Sequence, residues 1–179
     1  DLDAGIEVVA RPPGKEPRTI GLLSAAFASA AGAEVHVVGR RASSVALADR
    51  FGVTATWSPD TVPDAPFHAV IDATDDPSVP ATAIRLVEPG GRVVLIGLAG
   101  RPSRIDTRDL TFRDVTAVGV LSGSPGLAHA IERFADGSVD ARPLVGATVR
   151  LEDVPRVLDG SFTGDGGPKI HVDPQRLDR

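Results

Sequence analysis

The chain has 179 residues, 42% of them hydrophobic, with 19 basic against 24 acidic side chains and a net charge of −5. That length suits one well-cored domain with a small appended segment, and the interspersed charges offer no basic face to nucleic acid. Cysteine is absent, which removes disulfides, thiolate nucleophiles and cysteine zinc sites together.

In chain order, Ile6–Ala10 (IEVVA) reads as a first strand, and RPPGKEPR at 11–18, with three prolines and a glycine, as a loop. From Ile20 to Ala31, Leu22, Leu23, Ala26, Phe27 and Ala30 recur at helical spacing, and Gly32 supplies the C-cap. Glu34–Val38 is a second strand, followed by a helix over Ser43–Phe51 that Gly52 ends. Val53–Trp57 and Phe67–Ala73 (FHAVIDA) are the third and fourth strands, separated by a Pro/Asp-rich turn.

Pro80–Val87 reads as a helix stopped by Glu88-Pro89-Gly90-Gly91, Arg92–Gly97 (RVVLIG) as a fifth strand and Thr116–Leu121 (TAVGVL) as a sixth. A helix over Pro125–Ala135 stops at Asp136-Gly137. Strands alternating with helices of about ten residues imply parallel βαβ crossovers, and the apolar runs imply a sheet buried on both faces. The expected class is α/β, a doubly wound (Rossmann) six-stranded, mainly parallel sheet with helices on both faces over residues 1–138.

Residues 139–179 have a different texture: a strand-like Ala147–Arg150, a short helix ending at Leu158, a glycine-rich loop and a final strand Lys169–Val172. This segment has too little apolar surface for a domain of its own.

Open α/β sheets bind ligands at the carboxyl ends of their strands, and the tip of the second strand meets an adenosine ribose. There the chain carries Gly39-Arg40-Arg41. An acidic residue would bind the 2′-hydroxyl of NAD, whereas arginines suit the 2′-phosphate of NADP. A solvated basic pair is the competing reading. The four histidines, His36, His68, His129 and His171, show no metal-ligand spacing, and His36 and His68, both within strands, read as structural. Asp72, Asp75 and Asp76 before Pro77 suit turns and caps better than catalysis. Trp57 and Phe67 read as packing residues, and Ser122 and Ser124 have no nearby histidine to activate them. No tyrosine is present for a Tyr/Lys proton relay, and no residue reads as a catalytic acid, base or nucleophile.

Taken together, TIGLLSAAFASAAGAEVHVVGRR, FHAVIDATDDPS, LVEPGGRVVLIGLAG, DLTFRDVTAVGVLSGS, LAHAIERFADGSVDARPLV, LEDVPRVLDG and GPKIHVDP come in an order and spacing that resemble a family. It is the medium-chain dehydrogenase/reductases, the zinc-type alcohol dehydrogenase superfamily, and the likeness runs over residues 5–174 of the chain, covering only the C-terminal, cofactor-binding half of such an enzyme. The resemblance implies pyrophosphate at Thr19, Ile20 and Gly21, where helical N–H groups are exposed. It implies the ribose and its 2′-phosphate at Gly39, Arg40 and Arg41, and the adenosine side at Ala73 and Thr74. Gly97, Leu98, Leu121 and Ser122 would approach the nicotinamide. A homodimer through the sixth strand (Thr116–Leu121) is implied, as is a separate catalytic domain or chain, against which residues 139–179 pack in the family.

Two departures from the family stand out. Anchored on Gly21, the G-x-G-x-x-G pattern falls on Glu16-Pro17-Arg18-Thr19-Ile20-Gly21, so only its third glycine is present; Gly14 is a replacement for the tight turn. The family's zinc ligands belong to the other half, and this chain is expected to hold no zinc. The expected function is therefore an NADP(H)-binding module, NADP preferred over NAD, of a zinc-type alcohol, polyol or sugar dehydrogenase. The alternative is a truncated, non-redox relative with impaired cofactor binding. The opening Asp1-Leu2-Asp3, with no initiator Met, suits a fragment or a processed protein, and the cytoplasm, with no membrane contact, is the expected location.

Overall fold

The computed structural model describes residues 6–9, 19–40, 42–63, 66–121, 124–162, 164 and 167–176. The chain separates into two compact units, residues 1–140 and 141–179.

The first unit is built on a parallel sheet of β1 (Ile6–Val9), β2 (Val35–Val38), β3 (Ala55–Trp57), β4 (Phe67–Asp72), β5 (Val87–Leu95) and β6 (Thr116–Gly119). Their spatial order is β3-β2-β1-β4-β5-β6. The order reverses between β1 and β4, both of which pair in parallel along their length, Ile6 opposite Val35 on one side and Ala69 on the other. That reversal is the switch point at which such sheets open a ligand crevice.

Helix α1 (Thr19–Ala30) buries Gly21, Leu22, Ala25, Ala26 and Ala28, a small-residue stripe that lets it lie close on the sheet. It ends at Gly32, whose φ of +87° is the left-handed conformation that closes helices without a Cβ penalty. Helix α2 (Ala42–Ala48) is shorter than the expected Ser43–Phe51, because Asp49–Phe51 tightens into a 3-10 turn before Gly52.

Beyond the sheet's other half lies α3 (Val79–Leu86). Its Val79, Ala83 and Ile84 join Val38, Phe67, Val70, Val87 and Val93 in the main apolar cluster. Val70, Val87 and Val93 lose essentially all solvent contact, each contributing on the order of 1.5–3 kcal/mol of burial.

Two expectations need correction here, and one element is new. The Glu88-Pro89-Gly90-Gly91 turn is not a break before the fifth strand: β5 begins at Val87 and runs through it. A register shift makes room, since Phe67 pairs with Val87 but Ala69 with Arg92, and Gly90 takes a φ of +79°. A further helix, α4 (Thr107–Thr111), occupies a stretch with no helical pattern, started by Asp106, whose side chain accepts from the Arg108 N–H. The sixth strand stops at Gly119, two residues before Leu121. Helix α5 (Leu127–Ala135) follows a 3-10 turn at Ser124–Gly126, and its Phe134 meets Phe27 of α1 edge to face, centroids 5.5 Å apart.

The second unit pairs β7 (Val145–Val149) with β8 (Lys169–Val172) in parallel. Between them Leu151–Asp153 forms a 3-10 turn that leads into α6 (Val154–Leu158). Arg176 Nη1 donates to the Thr148 carbonyl at 2.5 Å, fastening the end of the described chain onto β7.

Candidate functional site at the carboxyl edge of the sheet

The carboxyl ends of β2, β4 and β5 lie side by side with β1 between the first two, so residues far apart in sequence share one edge. At the β2 tip, Gly39 is buried and donates its N–H to the Trp57 carbonyl of β3 at 2.9 Å, while Arg40 next to it is exposed. Arg41 lies outside the described residues, as does the loop of residues 10–18 with Gly14 and Glu16.

The end of β4 is the most tightly built part of the edge. Asp72, Ala73 and Thr74 are 3%, 3% and 2% exposed. The Asp72 carboxylate accepts the Thr74 N–H at 2.8 Å, and its carbonyl accepts from Ile96 and Gly97 N–H at 2.8 and 2.9 Å. Asp72 thereby ties the β4 end to the β5 end. Gly97 has no alternative there: a Cβ would run into the backbone oxygen and nitrogen of Thr74.

Past Thr74 the chain turns on side-chain hydrogen bonds. Thr74 Oγ1 accepts from the Asp76 N–H at 3.3 Å, and the Asp76 carboxylate accepts from the Ser78 N–H at 2.8 Å and the Ser78 hydroxyl at 2.6 Å. This is the turn-forming use of aspartate, set just before α3. Burial pushes the Asp76 pKa up, but the two Ser78 bonds and the positive charges of Arg40 and Arg101 outweigh it, and the carboxyl is held below its ordinary range. The β2 tip, the turn after β4 and the segment after β5 therefore meet electrostatically at Asp76.

At the helical end, Thr19 and Ile20 open α1, with Ile20 52% exposed and Gly21 buried. No acidic residue stands in the first turn of α1, whose N–H groups and positive dipole end suit an anion. Beyond β5 and β6, Leu98 and Leu121 are 69% and 85% exposed. Ser122 lies outside the described residues. The edge thus runs from a guanidinium at Arg40, past a backbone cradle at Ala73, Thr74 and Gly97, to open leucines.

Sequence reasoning passed over Arg101, because an isolated arginine in GRPSR carries no pattern, and over the buttressing by Asp72. An aspartate closing an apolar strand was the available signal for the latter.

Among the described residues no group of three or more His, Asp or Glu side chains is placed to hold a metal ion. Cysteine, a zinc ligand, is absent from the sequence. No helix among the described residues is long and apolar enough to cross a membrane.

The family model of the zinc-binding dehydrogenases matches residues 19–136. L-threonine 3-dehydrogenase of Bacillus velezensis is 27% identical over 172 residues, covering 86% of this chain and 48% of its own length. A structure from Sinorhizobium meliloti 1021, described as a zinc-binding dehydrogenase bound to NADP, superposes with a TM-score of 0.82 at 24% identity, over 97% of this chain and 53% of that one. A short chain alcohol dehydrogenase from E. coli CFT073, complexed with NADH, gives a TM-score of 0.81 at 18% identity, over 94% of this chain and 52% of that one. The chain spans about half the length of these relatives. It belongs to the zinc-binding dehydrogenase family, in the medium-chain dehydrogenase/reductase superfamily, and corresponds to the cofactor-binding half.

Proposed function

We propose that this chain is the NADP(H)-binding module of a zinc-type alcohol, polyol or sugar dehydrogenase, with NADP preferred over NAD. The observation that carries the preference is Arg40, exposed at the tip of β2 beside the switch point and close enough to act on Asp76. A guanidinium in that place matches a 2′-phosphate and has no use for a bare 2′-hydroxyl. One of the superposed structures is bound to NADP and another to NADH, which supports a nicotinamide cofactor.

The residues at the edge fit such a cofactor. The N–H groups opening α1 at Thr19, Ile20 and Gly21 would take the pyrophosphate. Gly39, Arg40 and Arg41 would hold the phosphorylated ribose, and the buried Ala73 and Thr74 would line the adenosine side. Gly97 and Leu98, with Leu121 and Ser122, would flank the nicotinamide and keep water from it. The bound nicotinamide would exchange a hydride with substrate. This chain's part is to bind and orient; substrate contacts and zinc would come from a separate catalytic domain or chain, against which residues 139–179 would pack.

β6 forms one edge of the six-stranded sheet, and all four of its residues are exposed. An open edge strand with Val118 on it and Leu121 just beyond it suits pairing with its symmetry mate in a homodimer. We also infer a cytoplasmic location.

The test is equilibrium titration with NADPH and NADH. NADPH should bind more tightly, and Arg40→Ala should weaken it about 10- to 100-fold, the worth of a charge-assisted hydrogen bond, while NADH changes little. Failure of both cofactors to bind at millimolar concentration would overturn the reading. The second reading, a non-redox relative that kept the fold, would then stand; it draws on the single glycine left at Gly21 of the phosphate-loop pattern.

A further inference from the structure

Between α3 and the segment after β5 lies a concavity of about 730 Å³ whose lining includes Ser78, Thr82 and Arg85 on one side and Arg101, Pro102 and Arg104 on the other. No carboxylate is among its lining residues. Three arginines therefore line one hollow in a chain whose net charge is −5. The nearest acids in sequence are committed elsewhere: Asp106 makes a two-oxygen ion pair with Arg108, and Asp76 accepts both bonds from Ser78.

The hollow is also partly ordered in advance. Arg85 Nη2 donates to Thr82 Oγ1 at 3.2 Å, one helical turn back, and that hydroxyl in turn donates to the Ser78 carbonyl at 3.5 Å. Arg101 follows β5 and lies near enough to Asp76 for its charge to be felt there. Like charges held together cost energy, which an anion entering the hollow would relieve. The volume falls in the range of small-molecule sites. Guanidinium forks match phosphate oxygens two by two, a geometry that single ammonium groups lack.

We propose that this hollow is a second anion site, which takes a small phosphate-bearing molecule between Arg85, Arg101 and Arg104. The site stands apart from the cofactor reading, since none of its three arginines is assigned to NADP.

Inorganic pyrophosphate is the probe, titrated into the full chain at fixed ionic strength and followed by backbone amide shifts. Binding should move the amides of residues 78–85 and 101–104, and Arg104→Gln and Arg85→Gln should each weaken it about tenfold. Both side chains are exposed, so the variants should keep the fold and bind NADPH within about twofold of the parent. If Arg85→Gln loses its fold, Arg104→Gln alone decides. Pyrophosphate affinity unchanged by these substitutions would overturn the proposal. So would shifts confined to the α1 N-terminus and abolished by Arg40→Ala, because the probe would then report only the cofactor's phosphate site. Failure of NADPH to bind, with pyrophosphate still lost on Arg104→Gln, would reject the cofactor reading and leave this one.

Discussion

The indole N–H of Trp57 donates to Nδ1 of His36 at 3.0 Å, and the two rings stack with centroids 6.0 Å apart. An indole nitrogen can only donate, so His36 Nδ1 is the acceptor and the ring proton sits on Nε2, which donates to Glu34 Oε1 at 3.1 Å. Phe67 closes the group edge-on, 5.2 Å from the His36 ring. One imidazole nitrogen thus holds β2 to β3, while the other is tied to Glu34 just before β2.

Trp57 is the chain's single tryptophan, and its carbonyl holds Gly39 at the β2 tip. NADPH binding should therefore quench Trp57 emission by energy transfer to the reduced nicotinamide, and His36→Leu should shift that emission by stripping the indole of its acceptor. The same substitution should cost about 1–2 kcal/mol in urea denaturation, because it leaves a part-buried donor unmet. Unchanged emission in His36→Leu would contradict the bond.

Gly97→Ala tests the cradle. The added Cβ has only the Thr74 backbone to displace, so the variant should lose about 1–3 kcal/mol of stability and bind nicotinamide cofactors more weakly than the parent. Thermal unfolding and the same titration check both.

Asp72 gives a paired comparison. Asp72→Ala strands the buried Thr74 N–H and should destabilise by about 1–3 kcal/mol, whereas Asp72→Asn keeps an acceptor and should cost less. Equal losses in chemical denaturation would show that charge, not the hydrogen bond at 2.8 Å, matters there.

Arg113 closes α3 from outside the helix. Its guanidinium donates to the Ile84 carbonyl at 2.7 Å, to the Arg85 carbonyl at 3.3 Å and to the Val87 carbonyl, satisfying carbonyls that a helix end leaves without partners. Lysine has no planar fork to span them. Arg113→Lys should lower stability by about 1–2 kcal/mol, read as a reduced urea midpoint at unchanged slope.

Asp106 supplies the pH prediction. Hydrogen bonds from Arg108 draw its pKa from 3.8 down to about 2. A carboxyl depressed in the folded state stabilises fully above its ordinary range, and the contribution fades as pH falls through the folded value. Carboxyl carbon titration should place Asp106 near that value, and Arg108→Ala should return it towards the ordinary range.

How far the fold could be read from residues follows from where the forces are local. FHAVIDA and RVVLIG mark strands because their apolar stretches, AVI and VVLI, suit a sheet packed on both faces. The α1 stripe and Gly32 mark a helix and its end for equally local reasons. The strand character of Val87–Gly91 was hidden, because Pro89 and two glycines look like a turn until β4 accommodates them by shifting register. α4 was hidden because five residues hold no periodicity; one capping side chain, Asp106, starts it. The site divides the same way. Arg40 is legible because the strand before it fixes its place, whereas Arg113 and Arg101 act only through carbonyls and carboxylates that tertiary structure brings to them.

The place of β1 has a consequence for how the chain can be cut. Its four residues, Ile6–Val9, are the seam between β2 and β4, so a truncation that removes them does not trim a border. It divides the sheet into a two-stranded ribbon and a three-stranded one, each with a newly bared hydrogen-bonding edge at Val35–Val38 or Phe67–Asp72. Such edges pair with whatever strand comes next, another copy included. Shortened versions that start beyond residue 9 should therefore accumulate as aggregates rather than as smaller folded domains, while a stop at residue 140 follows the boundary between the two compact units.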